Sequence, residues 1–261
     1  MQKNINKIPI SIITLTLNNT RTLDGVLKSV VDWADELLVL DCGSTDGTEE
    51  IARKYQANFI YRKFDSFGKQ KSYAVSMAKH DWVFIVDSDE VVSDELREEI
   101  LEAFQNPGYE GFMIPNTLIF LGKPLRYGRE YKMPHLRLFN RKHGYYNDRE
   151  IHEDVVLNGK RGKLKNHVLH NSYADVSDYL NKINNYTTKG AVELHKADKK
   201  VSIVKIMAKF PVKFLIEYLV RLNFLNGYRG FVWSFGQAVS TTVKYIKLHE
   251  INQGNFKSEL R

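Results

Sequence analysis

Four apolar runs, each followed by a segment with helical spacing, occupy residues 9–105 and constrain the fold more than any other feature. PISIITLTL (9–17), ELLVLD (36–41), NFIY (58–61) and WVFIVD (82–87) are rich in β-branched and aromatic residues and read as strands. Between the first two, TLDGVLKSVVDWAD (22–35) repeats apolar residues at Leu23, Val26, Leu27, Val30 and Val31, the spacing of a helix. TEEIARKY (48–55), with Thr45 or Asp46 as cap, and KQKSYAVSMAKH (69–80) read as two more helices. Ser93 caps a fourth, DELREEILEAF (94–104), whose acidic first turn suits the helix dipole. Strands apolar on both faces imply an α/β fold with a mostly parallel sheet and helices on both sides. Ligands of such sheets bind at the carboxyl ends of the strands, where Asn18, Asp41 and Asp87 stand.

After Pro107 the pattern changes. Residues 111–172 mix short strand-like pieces, GFMIPN and HLRLFN, with loops rich in Gly, Arg and Tyr. Residues 177–197 are helical again, with Leu180, Ile183 and Leu194 assigned to one side. The chain therefore divides into a nucleotide-binding half (1–106), a second half of the same domain (107–200) and a tail (201–261). At 261 residues and 43% hydrophobic content it can bury a sizeable core. A net charge of +7 favours anionic partners, although a merely basic surface would look the same. The single cysteine, Cys42, excludes an intrachain disulfide and suits a reducing compartment. The opening MQKNINKIPI has no apolar h-region, and no apolar run reaches the roughly 18 residues of a membrane span. The expectation is a cytoplasmic protein.

FIVDSDE (84–90) concentrates the chemistry: an apolar strand runs into Asp87, Asp89 and Glu90. Residues i and i+2 of an extended chain point the same way, so Asp87 and Asp89 converge. Their repulsion is offset by a divalent cation, and carboxylate oxygens suit Mg2+ or Mn2+. Such a metal bridges the phosphates of a nucleotide-sugar and stabilises the leaving diphosphate. An EF-hand loop is excluded because Val91 and Val92 fill positions that need an oxygen ligand and Gly. A solvated strand-to-helix turn remains as the plain alternative.

Three segments in order resemble the family-2 glycosyltransferases of GT-A fold. SIITLTLNN (11–19) is similar to the first strand of that family, with Leu15, Leu17 and Asn19 where Pro, Tyr and Glu are common. LVLDCGSTDGT (38–48) resembles its Asp-x-Gly-Ser-Thr-Asp-Gly-Thr motif, and GKQKSYAVSMAKHDWVFIVDSDE (68–90) the segment leading into its D-x-D. Trp82, DSDE, RLFNR (137–141) and His152-Glu153 extend the resemblance to bacterial lipopolysaccharide-core glucosyltransferases. The resemblance implies a GT-A, Rossmann-like fold and an inverting transfer from a UDP-sugar, UDP-glucose above all. It implies that Asp41 contacts the uracil ring and that Thr16 and Asn18 line the nucleotide pocket. Asp87 and Ser88 belong to the same nucleotide site, and Lys71 stands where the family often carries an arginine for a phosphate.

An inverting displacement needs one carboxylate to take the proton of the attacking hydroxyl. REIHEDVV (149–156) offers Glu153, which matches the family's His-Glu, with Asp154 in reserve. His170 is a candidate metal ligand beside Asp87 and Asp89; a simple hydrogen-bonded core histidine is the competing reading. Arg137 and Lys182 are candidates for donor phosphate, Lys182 standing one helical turn from Tyr186.

In the tail, Lys205, Lys209, Lys213 and Arg221 follow a four-residue step that Glu217 interrupts, beside Ile206, Phe210, Phe214 and Leu222. Pro211 starts or kinks a helix there. A basic amphipathic helix lies on an anionic membrane surface; a helix packed on the protein with snorkelling lysines is the alternative. The acceptor is accordingly expected to be a glycolipid or core oligosaccharide, reached from the inner face of the cytoplasmic membrane. Two other classes compete. A metal-dependent nucleotidyltransferase would carry a Gly-rich loop after the first strand, and TLNNTRT has no glycine. A non-catalytic membrane- or nucleotide-binding module rests on net charge alone. No nucleic-acid-binding motif is present.

Overall fold

The computed structural model describes residues 7–105, 108–129, 131, 134–147 and 154–254. Strands β1 (Ile8–Thr16), β2 (Ala34–Asp41), β3 (Asn58–Tyr61) and β4 (Trp82–Ile85) lie parallel in the order β3-β2-β1-β4. Alternation along each strand supplies two cores. Ile10, Ile12, Val39 and Phe84 face α1 (Leu23–Lys28) and α4 (Asp94–Gln105) through Leu23, Val26, Leu27, Leu96 and Ile100. Ile13, Leu38, Leu40, Val83 and Ile85 face α3 (Phe67–Met77) through Ala74 and Val75. Helix α2 (Thr48–Lys54) sends Ala52 into the first core. The expected α/β architecture, with helices on both faces, is therefore what forms.

The sheet continues with antiparallel strands. β8 (Pro134–Asn140) pairs with β4, and β6 (Gly111–Phe120) with β8. β12 (Val168–His170) follows β6 and pairs with β5 (Glu90–Val92), so that His170 lies opposite Glu90. A separate hairpin joins β9 (Gly144–Tyr146) to β10 (Val155–Leu157). β7 (Lys123–Pro124) pairs with the end of β6, and β11 (Arg161–Lys163) with its start.

Contacts divide the chain into one unit of residues 1–117 and 132–172 and a second of 118–131 and 173–261. The boundary drawn at residue 200 from sequence differs from this grouping. Helix α5 (Val176–Lys196) belongs with the tail because Tyr179 and Ile183 pack on Trp233 of α7 (Gly227–Asn252), together with Phe120 and Leu125. The buried stripe of α5 is Tyr179, Ile183, Thr187 and Ala191, and Leu180 faces solvent. The apolar count alone favoured Leu180; the aromatic cluster chose Tyr179 instead, whose ring stacks 5.6 Å from that of Trp233.

Two local expectations also change. The helix expected over 22–35 stops at Lys28. Trp33 turns inward, fully buried, its indole donating to the Ser29 carbonyl, and its own carbonyl accepts from the Ile8 amide. The remaining apolar residues of that stretch therefore fill a turn and not a helix face. Pro211 lies inside α6 (Ile203–Leu215), which Ser202 caps, and a π-helical turn follows at Ile216–Val220.

Candidate active site

The carboxyl ends of β1, β2 and β4 carry the residues that sequence singled out. Thr16 and Asp41 are register partners at the ends of β1 and β2, and both are buried. Asp41 accepts from the amides of Gly43 and Ser44, each at 2.8 Å, and from the Ser44 hydroxyl at 2.5 Å. Its carboxylate thus shapes the CGST loop, the turn-forming role that a base contact would have to share. The Thr16 hydroxyl is buried without a hydrogen-bond partner among the described residues. Asn18 adopts a left-handed backbone, φ 49°, where Asn is better tolerated than most residues. Its amide donates to the Ser44 hydroxyl and its side-chain oxygen accepts from the Thr45 amide, so Asn18 clamps the same loop.

Asn19 links that loop to the acidic turn. Its side-chain amide donates to the Ser88 carbonyl at 2.9 Å and to the Ser88 hydroxyl at 2.7 Å. The Asn19 position, where the resembling family commonly has Glu, here holds the middle of the D-x-D turn in place.

Within the turn the three acids part company. The Asp87 side chain lines a pocket of about 670 Å3, with Lys71, Asn116, His135, Arg137 and Tyr146 on other walls. Asp89 meets His170, its carboxylate oxygen 3.2 Å from the imidazole nitrogen, while the Asp89 carbonyl accepts from the Asn171 amide. Ser172 also bonds the His170 ring. Glu90 turns inward and is 1% exposed. Its carboxylate accepts from the Asp87 amide and from the guanidinium of Arg137 on β8. Burial pushes the Glu90 carboxyl above its ordinary value, and Arg137 opposes that rise. Burial disfavours charge on Arg137 as well, but Glu90 and Asp87 hold it protonated. The Arg137 Nε is buried without a partner among the described residues.

Burial works against a proton on His170, yet the hydrogen bond it donates to Asp89 and the charges of Asp89, Glu90 and Asp87 outweigh it and raise its value. His135 moves the other way: desolvation and the Arg137 charge hold its imidazole below the usual histidine value. The Cys42 thiol is raised, by burial first and Asp41 second, and is no activated nucleophile.

Asp154, just before β10, lines the same pocket as Asp87. The β9–β10 hairpin holds it there, the Asn147 amide donating to the Asp154 carbonyl at 3.1 Å. Glu153 and His152 lie outside the described residues. Lys71, on α3, lines the pocket with its ammonium 5.7 Å from the Tyr146 ring centroid. Lys182 lies in the second unit, on α5, 3.4 Å from Asp178 and 5.0 Å from the Tyr173 ring centroid.

Structure therefore brings Lys71, Asp87, Arg137, Asp154 and His170 to one pocket. Sequence reasoning noted Glu90 and Asn19 without giving them a role, and missed His135, Asn116 and Tyr146. For two of them a signal existed. Glu90 is the acid that leads into the apolar Val91-Val92, and His135 stands two residues before Arg137 in a strand-like run. Among the described residues no three His, Cys, Asp or Glu side chains form a ready metal cage.

Residues 11–158 match the family described as Glycosyl transferase family 2. An uncharacterized glycosyltransferase of Rickettsia prowazekii (strain Madrid E) is 30% identical over 257 residues, covering 93% of this chain and 87% of that protein. The lipopolysaccharide core biosynthesis glycosyltransferase LpsC of Rhizobium meliloti (strain 1021) is 26% identical over 256 residues, covering 94% of each. The chain also resembles the crystal structure of S. aureus TarS 1–349 in complex with UDP, at 14% identity and a TM-score of 0.47, covering 96% of this chain and 93% of that one. The family match begins inside β1 and runs to the end of β10, so it takes in the strands that carry Thr16, Asp41, Asp87 and Asp154 into their places: the chain belongs to glycosyl transferase family 2.

Proposed function

We propose that this glycosyltransferase is a metal-dependent, inverting enzyme that moves a hexose, glucose above all, from a UDP-sugar to a lipid-linked or lipopolysaccharide-core acceptor. One observation carries the reading: Asp87, Lys71, Arg137, Asp154 and His170, the partner of Asp89, share one pocket. The name of LpsC supports the acceptor class. Family membership decides against a nucleotidyltransferase.

The donor set fits a divalent cation. Asp89 and His170 offer a carboxylate oxygen and an imidazole nitrogen close together, with Asp87 on the adjoining wall. Mg2+ and Mn2+ are suited by few protein ligands, one or two carboxylates, with substrate phosphates and water completing the shell. When bound there, the cation supplies neutralisation of the charge on the departing diphosphate. The chain's own groups do the rest. Lys71 and Arg137 present positive charge to the donor phosphates. Glu153, or Asp154 beside it, takes the proton of the acceptor hydroxyl as that oxygen attacks the anomeric carbon. The new C–O bond forms on the face opposite the diphosphate, the old one breaks, and UDP leaves. Asp41, Thr16, Asn18 and Ser88 frame the nucleoside. The protein works peripherally on the inner face of the cytoplasmic membrane.

UDP release from UDP-glucose, with and without Mn2+ and a core-oligosaccharide acceptor, tests the reading. Asp89→Asn is expected to abolish turnover and weaken Mn2+-dependent UDP binding; unchanged affinity by calorimetry sinks the metal assignment. Glu153→Gln is expected to cut turnover by about 10²–10⁴-fold with donor affinity unchanged. Turnover near wild type in that variant moves the base to Asp154.

A further inference from the structure

The tail is less cationic than its sequence implies, and more apolar. Glu217 is buried, and both Lys213 and Arg221 pair with it. Lys209 lies 4.3 Å from the Tyr245 ring centroid. Of the four-residue step, Lys205 alone is exposed without an ion-pair partner among the described residues. The apolar side chains of the same stretch are not covered by the second unit. Val204 is 76% exposed, Met207 72%, Leu219 51%, Val220 75% and Leu225 49%. In the same stretch the rings of Phe210, Phe214 and Tyr218 stack along α6 and the π-helical turn, and meet Phe231 and Phe235 of α7 edge-on. Phe231 and Phe235 are themselves 46% and 47% exposed and add to the apolar surface. Exposed contiguous apolar surface of this kind marks an interaction site.

We infer that α6 and the turns after it form a face that enters the interfacial layer of an anionic phospholipid bilayer, apolar side first, with lipid phosphates held at its edge by Lys205 and Lys209. This deepens the membrane-bound reading above and rests on it. Charge complementarity selects the occupant. From Lys199 to His249, both included, there are nine Lys and Arg and one acid, Glu217, which is buried and already paired. No exposed carboxylate in that span therefore opposes an anionic surface. A groove of about 350 Å3 is lined by Lys205, Lys209 and the Glu217-paired Lys213 together with the apolar Ala208, Val212 and Ile216. An apolar lining with ammonium groups beside it matches the acyl chain and phosphate of a lipid. No helix among the described residues is long and apolar enough to cross a membrane, which fits a face that lies in the surface.

Insertion and surface adsorption differ in their response to salt. Screening shortens the Debye length from ~10 Å at 0.1 M to ~3 Å at 1 M, whereas apolar burial is not screened. Flotation of the full chain with phosphatidylcholine vesicles, with and without phosphatidylglycerol, reads the difference. The wild type is expected to float with the anionic vesicles and to stay bound in 1 M NaCl. Val204→Asp/Val220→Asp, both solvent-facing, is expected to lower vesicle partitioning at least about tenfold. Lys205→Gln/Lys209→Gln is expected to erase the preference for anionic over neutral vesicles while leaving residual binding. Three results overturn the inference: no flotation of the wild type; full release by salt with no effect of Val204→Asp/Val220→Asp; or a dimer, seen by light scattering, that the double Asp variant dissociates. Hydrolysis of UDP-glucose, followed in parallel, separates the two readings. Hydrolysis without flotation removes the docking face alone, and flotation without hydrolysis removes the activity alone.

Discussion

Glu90 joins two parts of the candidate site through one buried carboxylate. Its carboxylate accepts from the Asp87 amide and pairs with Arg137, so one group positions both the acidic turn and a cation on the pocket wall. Removing one partner of a buried ion pair typically costs ~3–5 kcal/mol, because the other charge is left uncompensated. Glu90→Gln is therefore expected to lower the urea midpoint strongly and to weaken UDP binding. Glu90→Gln/Arg137→Met, which removes both charges, is expected to recover a good part of the lost stability. A double-mutant cycle with no coupling would show that the two residues do not act as a pair. His135 offers a second residue-scale check. Its folded value is depressed, so the native state favours the neutral imidazole. Its contribution to stability is present above the unfolded value, ~6.5, and is lost as pH falls through that value toward the folded one. An NMR titration should place the His135 midpoint below that of an unstructured histidine; a midpoint above it would contradict the depressed value.

At the scale of elements, α6 and the π-helical turn show why a charge pattern does not declare its own role. Glu217 stands one turn from Lys213 and one turn from Arg221, a spacing as suited to a solvated stripe as to a buried triad. The fold buries the acid and leaves its two partners 25% and 29% exposed. Stability should therefore respond asymmetrically. Lys213→Gln/Arg221→Gln strands a buried carboxylate and is expected to cost several kcal/mol, on the order of the ~3–5 kcal/mol for a broken buried pair. Glu217→Gln leaves two cations that can reach water and is expected to cost less. Urea unfolding of both variants checks the order, and a reversed order would show that the triad is not the controlling contact.

At the scale of the molecule, β6 runs from the first unit into the second, whose core contains Leu118, Phe120 and Leu125 beside Tyr179, Ile183 and Trp233. A fragment ending at residue 172 keeps the first three and loses the partners that bury them. It is expected to bind a hydrophobic dye such as ANS and to be cleaved quickly near residues 118–125 in limited proteolysis. A fragment as protease-resistant as the full chain would mean that residues 118–125 stay packed without α5 and α7.

Local pattern was enough for the N-terminal half of the protein. Continuous apolar runs and helical spacing set β1–β4 and α2–α4 because each element there satisfies its own propensity and, in the strands, burial on two faces. The acidic turn was legible for the same reason: Asp87 and Asp89 close a buried strand, and three ordered motifs pointed to the family. Tertiary structure decided the rest. It brought His170 to Asp89 across 81 positions through the pairing of β12 with β5. It turned Glu90 inward, exchanged Leu180 for Tyr179 on α5, and withdrew Glu217 with two of the tail's cations. None of these is a local choice. Each depends on what a distant strand or helix presents to the same point, and sequence spacing carries no record of that.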